Sequence, residues 1–435
     1  MQSIAEKGAA EAAVTAALAA ARMPRFEDGT INMQELIRRL AEDLVNAIMD
    51  AEADQMCSAT GNSRNGYRER KLVTCVGTIT LRVPKLRTGS FFPEDVIERY
   101  QRVDRAVVAA VAEMYRTGTS TRKVQRVAEK LGVDRLSKDQ VSAICESLDA
   151  DVEELRTRPL GDCETPYLWI DATYVKCRRE GRVASTAVVT CIGCDEHGWR
   201  RVLGVSVVDT ESFDSWLGFL RAVAARGVRG VRLVVSDAHE GLRRAVQETF
   251  QGAAWQRCVV HLVRDCVRAA GSRQLARRVA RIVSPVFRAK DPDAVRAMYH
   301  LACSMLEGCC PRAAAVLEEA EPDALAYLDF PAGHWKRLRT NNLQERTNRE
   351  IKRRSRVVQV FPSVASLERL AGAVMCDQDE AWSGSRYFSE GRMAELYAPP
   401  APRDAPTPER MAEVEAMARR AIDASLELAD RMEAA

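Results

Sequence analysis

The chain has 435 residues, 46% of them hydrophobic, and a formal net charge of +3. That length exceeds one ordinary core, so two or three folded units are expected. The small net charge excludes a uniformly basic coat but not local basic patches, whose placement decides nucleic-acid binding.

Thirteen cysteines at scattered spacing, with no secretory signal at the start, read as reduced thiols that mostly fill cores. The alanine-rich stretch 12–21 is too short to span a bilayer. A cytoplasmic protein with no membrane partner is expected.

Residues 1–56 read as an amino-terminal helical region. Over 32–53, Leu36, Leu40, Leu44 and Ile48 recur at steps of four, a face for a partner subunit or for the protein's own domain. Residues 57–100 form a small basic segment. Arg64-Asn65-Gly66-Tyr67 reads as a turn, and 72–75 and 78–83 as short strands around Gly77. Arg64, Arg68, Arg70, Lys71, Arg82, Lys85 and Arg87 line either a nucleic-acid surface or a solvated face. Residues 101–158 hold three helices. Val107, Val111 and Met114 mark the first, and Val124, Val127, Ala128 and Leu131 the second, which stops at Gly132. The capping pair Ser137 and Gln140 opens the third. Helices joined by a tight glycine turn suit a helix-turn-helix, although a plain three-helix bundle gives the same pattern. In the helix-turn-helix reading Arg122, Lys123, Lys138 and Gln140 face DNA.

From residue 159 the pattern is α/β. Strands at 167–176, 185–194 and 199–208 form an antiparallel meander, followed by a helix at 211–226. A wholly apolar strand at 231–236 suits the buried centre of a sheet, and a helix at 239–250 and a strand at 254–257 follow. Residues 159–264 are the first part of this core. Residues 265–333 are helical, broken at Gly271, Pro285, Pro292, Pro311 and Pro322, and too long for a loop; they read as an inserted all-α subdomain. Residues 334–395, with a very polar helix at 343–354 and another at 366–375, complete the core. Residues 396–435 are a proline-rich linker and a charged, peripheral helix. The order of strands and helices is that of an RNase H-like sheet.

Three acids stand out. Asp171 lies mid-strand in Trp169-Ile170-Asp171-Ala172-Thr173, where a carboxylate is costly unless paired or bound to a cation. Asp237 closes the most apolar strand, and Glu345 lies early in the polar helix. Magnesium prefers hard oxygen ligands, and two ions can serve the attacking and leaving oxygens of a phosphoryl displacement. Taken singly, each acid has a plainer reading: Asp237 as a helix N-cap, Asp171 paired with Lys176 or Arg178, Glu345 as one charge on a solvated helix.

The flanking sequences narrow the choice. Leu168-Trp169-Ile170-Asp171-Ala172-Thr173-Tyr174, Val235-Ser236-Asp237-Ala238-His239-Glu240-Gly241-Leu242, Trp255-Gln256-Arg257-Cys258-Val259-Val260-His261, Arg339-Thr340-Asn341-Asn342, and the run from Glu345 through Ile351 to Ser363 resemble a bacterial insertion-sequence transposase of the Mutator type. Asn65-Gly66-Tyr67-Arg68 and Pro84-Lys85-Leu86-Arg87 extend the resemblance toward the amino terminus. It implies a multidomain α/β protein: an RNase H-like catalytic core interrupted by an all-α insertion and preceded by a helical and helix-turn-helix DNA-binding region. It also implies Asp171, Asp237 and Glu345 as catalytic metal ligands for two Mg2+ ions, with Mn2+ able to replace them. DNA would be cleaved by water and joined by the freed 3′ hydroxyl. The implied partners are the element's terminal inverted repeats, target DNA, and further copies of the chain in a homodimer or larger assembly. The implied location is the bacterial cytoplasm, at the nucleoid when bound to DNA.

The family commonly has a hydrophobic residue before the glutamate; this chain has Gln344. Glu350 competes with Glu345 but falls about 140° around the helix from it. Cys258-x-x-His261 matches a family element and reads as structural or as supporting the active site. A zinc site completed by Cys191 and Cys194 is disfavoured, because an odd offset on a strand points them to opposite faces. Arg349, Lys352 and Arg356 share a face with Glu345, and Arg346, Arg353 and Arg354 extend the basic surface toward phosphates.

Overall fold

The Asn32 side chain accepts the Glu35 N–H and so caps helix α1 (Met33–Thr60), which ends at Gly61 in the left-handed conformation. A hairpin follows, with β1 (Arg64–Thr74) antiparallel to β2 (Gly77–Leu86). Leu72, Ile79, Leu81 and Val83 alternate onto one face and pack with Met49, Ala53 and Phe91. The predicted turn at Arg64–Tyr67 is instead part of β1. The register shifts between Arg64 and Tyr67, and Gly66 takes φ 82, so a bulge absorbs the turn-forming residues without ending the strand. Leu44 and Ile48 are exposed, so the hairpin takes a different stripe of α1 from the one the four-residue spacing picks out.

The computed structural model describes residues 23–93, 103–117, 119, 121–130, 144, 148–399 and 407–434. The chain divides into two units, Met1–Asp149 and Ala150–Ala435. Later in the first unit, α2 (Arg105–Arg116) and α3 (Thr121–Lys130) bring Val107, Val111, Val124 and Ala128 into one cluster with Ile144. The start of the expected third helix, with Ser137, Lys138, Gln140 and Val141, lies outside the described residues, as do Leu131 and Gly132; Ile144 and Leu148, expected on its inner face, are helical and buried. Helix α4 (Leu148–Thr157) leads toward the second unit.

The second unit is built on a mixed five-stranded sheet. Its strands are β3 (Tyr167–Arg179), β4 (Arg182–Cys194), β5 (Arg200–Val208), β6 (Leu233–Ser236) and β7 (Ala254–Arg257), in the order β5-β4-β3-β6-β7. The first three form the predicted antiparallel meander; β6 pairs parallel with β3, and β7 parallel with β6. The sheet is covered on both faces, so β6 is buried throughout. On one face, Leu168, Ile170, Val189, Cys191, Leu203 and Val234 pack against α5 (Phe213–Ala225) and α6 (Glu240–Thr249) through Trp216, Leu220, Leu242 and Val246. Strand alternation turns Tyr167, Trp169 and Asp171 to the other face.

Four helices follow: α7 (Val259–Arg268), α8 (Arg273–Val283), α9 (Pro292–Cys309) and α10 (Pro311–Ala324). Pro292 and Pro311 open their helices, where a missing N–H costs nothing. Pro322 does not break the chain as expected. It sits in the last turn of α10, where the helix ends before the lost hydrogen bond matters further. The chain returns to the sheet with α11 (Trp335–Leu338), α12 (Asn342–Val358), α13 (Val364–Ser383) and α14 (Glu390–Tyr397). α12 and α13 lie against β3, and α13 also against β5. The last helix, α15 (Pro408–Ala434), is not peripheral. Val414, Ala418 and Ile422, at steps of four, are buried, the helix packs on α8 and α9, and Arg410 pairs with Asp291 at 3.0 Å. The charge of its outer face hid this narrow apolar stripe.

No helix of the described residues is long and apolar enough to cross a membrane.

Gly198, in the turn between β4 and β5, anchors the segment after α13: its carbonyl accepts the N–H groups of Tyr387 and Phe388. It has φ 84, and a Cβ there would collide with the Phe388 carbonyl oxygen. Gly198→Ala is expected to destabilise the protein by about 1–3 kcal/mol, from backbone strain and lost docking. Thermal denaturation checks this, and an unchanged Tm would refute it.

Candidate active site

Asp171 sits on β3 with its carboxylate buried. One oxygen accepts the Ala172 N–H at 2.9 Å, and the other accepts the Asn348 side-chain amide at 2.8 Å. Neither Lys176 nor Arg178 is its partner. Burial first, and then the charge of Asp237, push its pKa up to about 8.

Asp237 follows β6 directly. It is not the N-cap of α6, a role taken by His239, whose ring accepts the Leu242 N–H. Asp237 instead faces the first turn of α7, with its Oδ1 2.5 Å from His261 Nδ1. The two atoms stand out of line for a hydrogen bond, and both are buried with no hydrogen-bond partner. Burial works against a charged His261, but its contacts with Asp237 and Cys258 outweigh that and hold its pKa near 10. On its other side, His261 Nε2 lies 3.8 Å from Glu345 Oε1 and 3.0 Å from Arg264 Nη1, which donates to Glu345 Oε1 at 3.1 Å. His261 therefore stands between the second and third acids, and Asp171 is in electrostatic contact with both Asp237 and His261. The second and third acids, distant in sequence, thus meet at His261, and Asp171 reaches the second electrostatically. Asp171 is the deepest, while Asp237 and Glu345 are partly exposed.

Glu345 is positioned by an unusual helix. The inward face of α12 is polar: Gln344, Thr347, Asn348, Arg354 and Ser355 are buried beside Leu343 and Ile351. Gln344 donates to the Trp169 carbonyl at 2.7 Å and the Thr190 carbonyl at 3.3 Å, and accepts the Thr190 hydroxyl at 2.9 Å. Just before the helix, the Asn341 side chain donates to the Ile170 carbonyl at 3.0 Å, and its backbone N–H points to Cys258 Sγ at 3.2 Å. Asn341, Gln344 and Asn348 thus fasten the helix to β3 around Asp171.

A sequence model of the Mutator family of transposases matches residues 10–385. The chain belongs to this family. It is 40% identical over 363 residues to the transposase for insertion sequence element IS1081 of Mycobacterium tuberculosis, covering 81% of this chain and 87% of that one. It is 36% identical to the transposase for insertion sequence element IS406 of Burkholderia multivorans, covering 85% and 96%. With the transposase for IS256 in transposon Tn4001 of Staphylococcus aureus it shares 35% identity, covering 81% and 91%.

The remaining sequence-predicted residues fall into distinct environments. Arg346, Arg349, Lys352, Arg353 and Arg356 are exposed on α12, with Arg353 paired to Glu350 at 2.9 Å. Arg354 differs: its guanidinium is buried and paired with Asp377 at 2.8 Å, which ties α12 to α13. Lys123 is exposed on α3; Lys138, Gln140 and the side chain of Arg122 lie outside the described residues. Glu350, the competitor of Glu345, is held by Arg353 rather than by the other acids. Cys258 begins α7 and, with Asp237 and His261, forms the group of potential metal ligands among the described residues; Cys191 and Cys194 are not part of it.

Asn348 and Arg264 were not singled out in the sequence, and Gln344 was noted only as a departure from the family's usual hydrophobic residue. The signal for Asn348 and Gln344 was present as amides at 341, 344 and 348, one turn apart on a helix otherwise read as solvated. Gln344→Leu is expected to leave the Thr190 hydroxyl only its longer contact with the Asp171 carbonyl at 3.4 Å and to cost about 1–3 kcal/mol. The double variant with Thr190→Val should recover much of that loss. Chemical denaturation of the four forms measures it, and purely additive effects would show that the pair does not act together.

Proposed function

We propose that this chain is a DNA transposase whose Asp171, Asp237 and Glu345 form one catalytic site on an RNase H-like core. The reading is carried by Asp237, at the end of β6, and Glu345, on α12, meeting at His261, with Asp171 on β3 in electrostatic contact with Asp237 and His261. An antiparallel meander extended by parallel strands, with the third acid arriving on a late helix, supports the RNase H-like assignment. Family membership supports transposition as the activity.

The residues fit a hard divalent cation. Asp171 is a buried carboxylate beside a second one, and Asp237 has a buried oxygen without a hydrogen bond; both situations call for positive charge. Asp171, Asp237 and Glu345 would hold two Mg2+ ions, with Mn2+ able to replace them. When bound, the ions supply Lewis acidity and neutralise the charge of the transferring phosphate. Asn348 and the Ala172 N–H fix the Asp171 carboxylate. His261 and Arg264 hold Asp237 and Glu345 in register. The exposed Arg346, Arg349, Lys352 and Arg356 bind backbone phosphates and align the strand without reading its sequence. Catalysis is then mainly positioning and charge stabilisation: water cleaves a phosphodiester at the element end, and the freed 3′ hydroxyl attacks a second phosphodiester. The amino-terminal region, with Arg122, Lys123, Lys138 and Gln140 in a helix-turn-helix, is proposed to bind the terminal inverted repeats. Joining two ends requires at least a homodimer. The bacterial cytoplasm, at the nucleoid, is the proposed location.

Purified protein, Mg2+ and a labelled element end should give joined products; cut but unjoined ends would instead indicate a nuclease. Asp171→Asn is expected to abolish cleavage while leaving end binding intact, and unchanged cleavage would overturn the mechanism. His261→Ala is expected to raise the Mg2+ concentration needed for half-maximal cleavage by roughly 10–100-fold, as loss of a ligand's supporting partner does. An unaltered Mg2+ titration would show that His261 plays no part in holding the acids.

A further inference from the structure

On the sheet face that carries Asp171, a second cluster has a different chemistry. Arg200, at the start of β5, has its guanidinium carbon 4.7 Å from the centre of the Tyr387 ring and 4.9 Å from that of Trp382. Arg337 of α11 lies 4.7 Å from the same Tyr387 ring and 4.9 Å from the Phe388 ring. Arg346, beside Glu345 on α12, is the third cation within electrostatic reach of the Tyr387 hydroxyl. The groups that act most strongly on Arg200 are Tyr387, Cys194, Arg337 and Arg346, none of them a carboxylate. Among the described residues, none of the three arginines has an ion-pair partner, and the Arg200 Nε is buried without a hydrogen bond. Arg264, Arg353 and Arg354, by contrast, each face an acid.

Two arginines stacked on the rings and a third within electrostatic reach of Tyr387 repel each other, and the half-buried Arg200 also loses hydration. Ring faces offset part of this cost, but nothing in the fold supplies the missing negative charge. An anion with several acceptor oxygens would supply it, and a planar guanidinium pair is suited to a phosphate.

We propose that Arg200, Arg337 and Arg346, arranged around Tyr387, bind a backbone phosphate of the DNA strand held at the acids. The placement supports this occupant. Trp169 is two residues before Asp171 on the same face of β3, about 7 Å along the strand. Its indole N–H donates to the Arg337 carbonyl at 3.2 Å, and its ring packs edge-on against Tyr387 at 5.4 Å. The cluster is therefore joined to the catalytic strand through one side chain. Arg346 joins it to the helix of the third acid. A strand whose scissile phosphate lies at the acids would pass a flanking phosphate to the arginines. This inference rests on the reading of the chain as a DNA-processing enzyme, and it adds Arg200, Arg337 and Tyr387 to the surface expected from α12 alone.

The test uses the full chain, a fluorescent element-end duplex and an unrelated duplex of equal length, without divalent metal so that no cleavage occurs. The readout is the dissociation constant as a function of salt. Loss of one phosphate contact should weaken binding to both duplexes alike and make the log–log salt slope shallower by about one. The double variant Arg200→Gln/Arg337→Gln is expected to do this. Arg346→Gln, exposed and without a packing role, should shift the slope in the same direction and guards against misfolding of the double variant. A wild-type slope in both variants overturns the phosphate site while leaving the transposase reading intact. A shallower slope in the variants, together with a wild type that forms no joined products when Mg2+ is restored, keeps the site and overturns that reading instead. A wild type that binds neither duplex overturns both.

Discussion

A carboxylate buried in the middle of a strand is the constraint on which the second unit depends. The neighbours of Asp171 on β3 alternate into an apolar core, so its side chain is forced to the opposite face, which α12 covers. That face cannot be closed by hydrocarbon alone without stranding the charge. It is closed by amides instead: Asn348 meets the carboxylate, while Gln344 and Asn341 bind carbonyls of the residues just before it. The helix that satisfies Asp171 is also the helix that delivers Glu345. Structural support and the proposed third acid are thus carried by one element, with inward amides, outward cations and an acid at the boundary.

His261 plays the corresponding part on the other side. It belongs to the first turn after β7, which lies parallel to β6 and so brings the turn beside Asp237 at the end of that strand. The segment before α12 is tied to the same turn, since the Val259 N–H donates to the Arg339 carbonyl at 3.0 Å. Two strand ends and one helix start are therefore fixed against each other by backbone and side-chain bonds. This explains how Asp237 and Glu345, on separate elements, both come to His261 without a covalent link between those elements.

Much of this architecture was legible in the sequence. Alternation in 79–83 and the apolar run ending at Ser236 gave strands, because burial on one or both faces writes directly into residue type. Asp171 was conspicuous through its cost in an apolar strand, but all three acids had plainer single readings and stood out only with their flanking motifs. The arrangement around them was not legible. A polar helix reads as solvated whether its amides face water or a strand, so the burial of Gln344 and Asn348 left no trace in hydrophobic periodicity. Gly66 looked like a turn because a left-handed glycine serves a bulge equally well. The stripe Val414, Ala418 and Ile422 was masked by the charges around it. Pairings across long separations, such as Arg264 with Glu345, carry no local signature at all.

The helices between Asp237 and Glu345 bear on the order in which the site is made. A ribosome releases the chain from its amino terminus, so the strands bearing the first two acids emerge while the third is still unmade. Every residue of α7 to α10 must be synthesised before Glu345 exists, and α12 must then find β3 across that whole separation. A nascent or prematurely terminated chain thus holds two carboxylates and lacks the third. The long interruption makes completion of the proposed acid cluster a late event, after the regions upstream have had time to take shape.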